Sequence, residues 1–149
     1  MMERIIEYNN LNHIHDIWPN FQFYVSGGVA FQPYKKGFEK LLGRSIEYMD
    51  TYLASEGFIA IQSRIGTNSM QMILDNGLFY EFIPFNDTNF NSDGELIGNP
   101  KAFTVKNVEE GIDYALVLTT CSGAWRYLLG DTVRVTNKEL SEIVITGRT

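Results

Sequence analysis

The chain has 149 residues, 44% hydrophobic and 20% charged, which excludes a disordered chain and allows one core-forming domain or subdomain. Its net charge of −6 comes without any basic run, which argues against nucleic-acid binding and electrostatic binding to anionic membranes. No apolar stretch approaches the roughly 20 residues that span a bilayer, and Met1-Met2-Glu3-Arg4 is too charged for a secretory signal. Cys121 is the only cysteine, so no internal disulfide can form and a cytoplasmic location fits.

In chain order, a short segment from Met2 to Tyr8 ends at Asn9-Asn10, and Pro19-Asn20 is a break. Phe21, Phe23 and Val25 alternate with Gln22 and Tyr24, which predicts a strand ending at Gly27-Gly28. Pro33 suits a first helical turn, and Phe38, Leu41 and Leu42 continue at helical spacing until Gly43. Ile46 to Thr51 is a second strand, running into Ser55-Glu56. Beyond Gly57 the pattern is mostly β. Strands are predicted at 58–62, 70–74, 78–83, 114–120, 126–129, 132–136 and 143–146. Asp75-Asn76-Gly77 between two apolar runs predicts a hairpin, because Asn and Gly both accept positive φ. Residues 86–100 read as a loop. The chain ends at Gly147-Arg148-Thr149 with no polar tail and reads as cut.

Two short stretches carry candidate chemistry. Tyr52-Leu53-Ala54-Ser55-Glu56-Gly57 sets an aromatic ring, a hydroxyl and a carboxylate close together. An ATP-using site needs a π surface for adenine, a donor for phosphate oxygens and a carboxylate for Mg²⁺, which binds one or two carboxylates plus substrate phosphates. The plain alternative is a strand-to-loop junction with a surface Glu, and the pentapeptide alone favours it. Gly130-Asp131 sets a carboxylate at a turn, where it could accept hydrogen bonds from the 2′ and 3′ hydroxyls of a ribose. The plain alternative is a tight turn in a meander. Gly27-Gly28 would let backbone approach a flat base, or simply form a loop. His13-x-His15 lacks a third metal ligand, so surface or interface histidines are expected. Cys121 has no local histidine partner, so a small buried thiol is expected. Phe21, Phe23, Phe31, Phe58, Phe79, Tyr80 and Phe82 are expected in the core.

Taken together and in this order, these stretches resemble the auxin-responsive acyl-acid amido synthetases and their bacterial relatives, a branch of the adenylate-forming superfamily. Trp18-Pro19-Asn20, Gly27-Gly28 and Tyr34 are similar to that family's strand-Gly-Gly segment. Tyr52 to Gly57 is similar to its second nucleotide motif, Tyr80-Glu81-Phe82-Ile83-Pro84 to a β segment, and Leu118-Thr119-Thr120 through Trp125-Arg126-Tyr127 and Gly130-Asp131 to its third motif. Ile145-Thr146-Gly147-Arg148 looks like the approach to the interdomain hinge.

The resemblance implies an α/β (α+β) fold, with an α/β portion over 1–57 and an antiparallel, distorted β-barrel subdomain over 58–149. It implies ATP or AMP and Mg²⁺ as cofactors. Gly27, Gly28 and Val29 would line the adenine and Tyr52 would stack on it. Ser55 would contact the α-phosphate, Glu56 would hold Mg²⁺, Asp131 would bind the ribose, and Arg148 would lie near ribose or phosphate. Ser55 and Glu56 would be the catalytic pair. The substrates would be a small carboxylic acid and an amino acid. Two residues depart from the superfamily pattern: Leu53 stands where Gly often follows the motif Tyr, and Leu128 where Arg often precedes the Gly. Arg126 does match a family position. No Ser/Thr/Gly-rich phosphate loop is found, and a C-terminal domain would follow Arg148, so the resemblance implies the middle of a longer chain that supplies both. The alternatives are a coenzyme A ligase of the same superfamily and a non-catalytic nucleotide-binding or interaction fragment.

Overall fold

The computed structural model describes residues 1–28 and 31–149. The chain divides into two compact units, Met1–Thr51 and Tyr52–Thr149. The expected α/β content is observed, dominated by sheet. Among the described residues no helix is long and apolar enough to cross a membrane.

The first unit is built around a βαβ crossover. Helix α1 (Met2–Tyr8) carries Glu3 in its first turn, where a carboxylate favours the helix dipole, and stops at Asn9. Asn10 then takes a left-handed conformation that Asn tolerates. Strand β1 (Phe23–Gly27) and the start of β2 (Glu47–Ala54) pair in parallel, with Phe23 opposite Glu47 and Gly27 opposite Thr51. Between them runs α2 (Gln32–Glu39), with Pro33 in its first turn as expected. The helix ends before Leu41, Leu42 and Gly43. Phe31 and Phe38 from α2 and its entry meet Tyr24 of β1 and Tyr48 of β2, with ring centroids 4.7–5.5 Å apart in the closest pairs. Contacts of this kind add stabilisation to the area they bury.

His15 is buried rather than at the surface. The Gly43 N–H donates to its Nδ1 at 3.0 Å, so the ring proton sits on Nε2, which donates to the Phe21 carbonyl at 2.8 Å. The neutral imidazole therefore ties the segment before β1 to the one after α2. Gly43 is needed for space: a Cβ there would come within 2.6 Å of the His13 ring.

The second unit is antiparallel. Its strands are β3 (Gly57–Ile61), β4 (Met70–Met72), β5 (Leu78–Pro84), β6 (Asp113–Thr120), β7 (Tyr127–Asn137) and β8 (Glu142–Arg148), in the spatial order β3-β4-β8-β7-β6-β5. Strand β6, next to the β5 edge, is buried on both faces. Along β6, Tyr114, Leu116 and Leu118 join one hydrophobic cluster with Phe82, Val133 and Ile143. The intervening Ala115 and Val117 join a second cluster with Ile83 and Phe90. A strand of period two that is covered on both sides reads as a continuous apolar run, as Tyr114 to Leu118 does. The loop at residues 86–100 covers part of the second cluster through Phe90. The sheet is open in its pairing, but its ends approach: Asn76 Nδ2 donates to the Phe58 carbonyl at 2.6 Å.

Three expectations change here. The hairpin at Asp75-Asn76-Gly77 does not form. The turn is present, with Gly77 at positive φ and the Leu78 N–H on Asn76 Oδ1. However, β4 pairs with β3 and β8, while β5 forms its whole ladder with β6. The turn carries the chain from one part of the sheet to the opposite edge. The strands predicted at 126–129 and 132–136 are one strand, β7, that runs through Gly130-Asp131. Of the aromatics expected in the core, Phe31, Tyr80 and Phe82 are buried, whereas Phe23, Phe58 and Phe79 are exposed on outward strand positions.

Glu142 at the start of β8 is 2% exposed. Arg64 meets it with Nε on Oε1 at 2.9 Å and Nη2 on Oε2 at 2.6 Å. Removing the guanidinium leaves a buried carboxylate without its charge partner. Full burial of such a pair makes this loss about 3–5 kcal/mol, and the exposed Arg64 side reduces it. Arg64→Ala should therefore lower the unfolding free energy by roughly 2 kcal/mol in urea titration. A change within about 0.5 kcal/mol would show that the pair is only a surface contact.

Candidate functional site

The Ser55-Glu56 dipeptide forms the turn between β2 and β3. Ser55 is exposed and Glu56 half-buried, so both side chains can reach solvent-borne groups. Gly57 opens β3 where the chain runs close to its neighbour: a Cβ there would lie 2.6 Å from Leu78 Cδ1.

Gly130-Asp131 lies within β7 rather than at a turn. On its β6 side the register passes from Thr132 opposite Ala115 to Leu128 opposite Val117. Leu129, Gly130 and Asp131 therefore face Leu116 alone, which is a β-bulge, and Gly130 takes the positive φ of +86° that such a bulge uses. On the β8 side a second irregularity falls between Thr132 and Val133, next to the pairing of Asp131 with Arg148. Bulges redirect side chains, and these two set the Asp131 carboxylate apart from the regular alternation of the strand.

Among the described residues the carboxylate has two partners. The Tyr52 hydroxyl donates to Oδ2 at 2.7 Å across 79 residues of sequence. Arg148 Nε lies 3.3 Å from Oδ1, with the Asp131 side chain 21% exposed and the Arg148 side chain 78% exposed. Tyr52 itself is 5% exposed and packs in the larger hydrophobic cluster of this unit. Burial first, then the hydrogen bond to Asp131 and the charge of that carboxylate, push the phenol far above its ordinary range; Arg148 offsets this in part, and the charge of Glu56 adds to it. Tyr52 is therefore a fixed donor across the physiological range.

Other expected residues fall elsewhere. Gly27 and Gly28 belong to the first unit, and Val29 lies outside the described residues. The space at Gly27 is taken by a neighbour, since a Cβ would come within 2.6 Å of Thr51 Oγ1. Gly28 has φ +86°. Stacking an adenine on Tyr52 needs an open ring face, and a ring buried to this degree offers little. Cys121 is exposed, not buried, because it lies in the turn that follows β6. Arg126 has φ +48° and its Nε donates to Glu81 Oε2 at 3.0 Å. The direct contact of Tyr52 with Asp131 was not read from the sequence. No local signal marks it, because it joins two motifs far apart in the chain.

Among the described residues no group of three or more His, Cys, Asp or Glu side chains could hold a metal ion. That donor set fits Mg²⁺ only as a single carboxylate anchor at Glu56, with phosphate oxygens completing the shell.

The pH dependence of stability follows from Tyr52. Above about pH 10 a phenol in the unfolded chain loses its proton while the folded chain keeps that of Tyr52, so the folded state loses stability as pH rises. Each proton retained only by the folded state gives a slope of about −1.4 kcal/mol per pH unit. In urea titrations between pH 9 and 11.5, Tyr52→Phe should flatten the decline by about one such proton. An unchanged slope would mean that the hydroxyl is not held as described.

Comparison with known proteins places the chain in a family. Residues 71–148, just over half of the chain, match the model of the GH3 family central domain. The chain is 30% identical over 126 residues to indole-3-acetic acid-amido synthetase GH3.2 of Arabidopsis thaliana, covering 80% of this chain and 23% of that protein. It is 32% identical over 127 residues to probable indole-3-acetic acid-amido synthetase GH3.11 of Oryza sativa subsp. japonica, covering 80% and 21%. Its fold matches the solved structure of AtGH3.15 acyl acid amido synthetase in complex with 2,4-DB with a TM-score of 0.68 at 20% identity, covering 91% of this chain and 23% of that one. The chain thus spans about a quarter of the length of the relatives it matches. With both the motif order and the central-domain match in place, the chain belongs to the GH3 family.

Proposed function

We propose that this chain supplies half of the adenylate pocket of an ATP-dependent acyl-acid amido synthetase. The observation that carries the reading is the convergence of the second and third motifs on one carboxylate. Asp131 is held by Tyr52 on one oxygen and meets the exposed Arg148 on the other. The names of the GH3 relatives, amido synthetases for indole-3-acetic acid, support the same class of reaction.

In this reading Asp131 accepts hydrogen bonds from the ribose hydroxyls, for which an ionised carboxylate, an acceptor only, is suited. Ser55, exposed at its turn, donates to the α-phosphate. Arg148 moves from Asp131 toward ribose or phosphate. Glu56 is the anchor for Mg²⁺, which would supply charge neutralisation to the phosphates when bound. For the glycine turn of the first unit the proposal is the one drawn from the resemblance, backbone contact with the base. A substrate carboxylate oxygen attacks the α-phosphorus, the bond to the bridging oxygen breaks, and pyrophosphate leaves. The amine nitrogen of an amino acid then attacks the acyl carbon, AMP leaves, and the nitrogen loses a proton. The residues of this chain contribute position and charge, the terms that dominate phosphoryl-type chemistry. The acid, the amine and the phosphate loop are contacts of other segments, proposed to lie in the rest of a longer chain.

In the full-length polypeptide that carries this chain, Asp131→Ala and Glu56→Ala should each reduce acid-dependent pyrophosphate exchange by at least about a hundredfold. The folded fraction, read by far-ultraviolet circular dichroism, should stay constant. Exchange at the wild-type rate in both variants would contradict the assignment.

A further inference from the structure

We propose that Tyr52 is a positioning residue: its hydroxyl fixes the Asp131 carboxylate so that Oδ1 is presented to the vicinal hydroxyls of a ribose. The inference rests on the nucleotide reading above and deepens it.

The two partners of Asp131 differ in kind. Tyr52 is buried, its ring held by core neighbours, and its hydroxyl approaches Oδ2 at 2.7 Å. Arg148 is largely exposed and its Nε stands at 3.3 Å from Oδ1. An exposed ion pair of that length is weak and exchangeable, whereas a buried donor cannot leave without losing its one partner among the described residues. Oδ2 is thus committed to the protein and Oδ1 is the oxygen that a ligand can claim. The carboxylate also needs such a tether. It projects from a strand interrupted by irregular pairing on both sides, with Gly130 at positive φ next to it, so the ladder alone does not set its orientation. A carboxylate retains free lone pairs after accepting one phenol, enough for two ribose hydroxyls. Phenylalanine at position 52 would keep the core packing and remove only the donor.

The test is calorimetric binding of AMP and of 2′,3′-dideoxy-AMP to this chain as wild type, Tyr52→Phe, Asp131→Asn and the double variant. The wild type should prefer AMP by about tenfold, the scale of a hydrogen bond to a charged group. Tyr52→Phe should bring that ratio close to one, and adding it to Asp131→Asn should change the ratio no further. A Tyr52→Phe variant with a lowered melting temperature but an unchanged preference for AMP would overturn the proposal, leaving Tyr52 a packing residue. Equal wild-type binding of both nucleotides would overturn it too, by removing the ribose from the contacts of Asp131. A wild-type chain that binds neither would instead contradict the nucleotide reading on which the inference stands.

Discussion

The contact on which the proposed nucleotide site depends is the hydrogen bond from the buried Tyr52 hydroxyl to Asp131. A phenol in a hydrophobic cluster cannot be left without an acceptor except at a cost of about 1–3 kcal/mol. A half-buried carboxylate is an excellent acceptor, so each group solves the other's problem. The consequence is structural and chemical together. The end of β2 and the middle of β7 are joined, and the carboxylate meets Tyr52 through one oxygen and Arg148 through the other.

The sheet supplies the rest of the arrangement. Pairing through β5, β6, β7 and β8 fixes most of β7, and β6 is buried on both faces. Two irregularities lie beside Asp131, and a third falls between Val135 and Asn137. Local strain of this kind is tolerated where the surrounding ladder over-determines the fold, and it is commonly found beside functional groups. Arg148 reaches the same carboxylate because it is the register partner of Asp131 on β8. The Ser55-Glu56 turn stands at the other end of the short segment that begins with Tyr52.

Much of this was legible in the sequence, for identifiable reasons. The strand–helix–strand order of β1, α2 and β2 was legible through alternation and Pro33, but the helix stops at Glu39, short of the Leu41 and Leu42 that the spacing had included, and the parallel pairing carried no local signal. Residues 114–120 were read as a strand, but their burial on both faces follows from the two clusters that cover them. The turn at Asn76-Gly77 was read correctly as a turn and wrongly as a hairpin, because turn chemistry specifies a chain reversal and not the partner of the strands it joins. Gly130-Asp131 was read as a turn because a glycine before an aspartate gives the same local signal in a bulge. His15 and Cys121 exchanged places between surface and interior. The imidazole found two backbone partners distant in sequence, and the thiol fell in a turn outside the apolar run. Tyr52 and Asp131 were both singled out as site residues, but their direct bond needs the tertiary fold to be seen. Motif order pointed to the family even though each motif alone had an ordinary structural explanation.

The central claim is that the Tyr52–Asp131–Arg148 constellation is a nucleotide site. The most direct measurement is an AMP titration followed by backbone amide shifts of the isotope-labelled chain. The account predicts that the largest shifts cluster at Tyr52 to Gly57, Gly130-Asp131 and Gly147-Arg148. Shifts confined to other surfaces, or none at millimolar AMP, would contradict it.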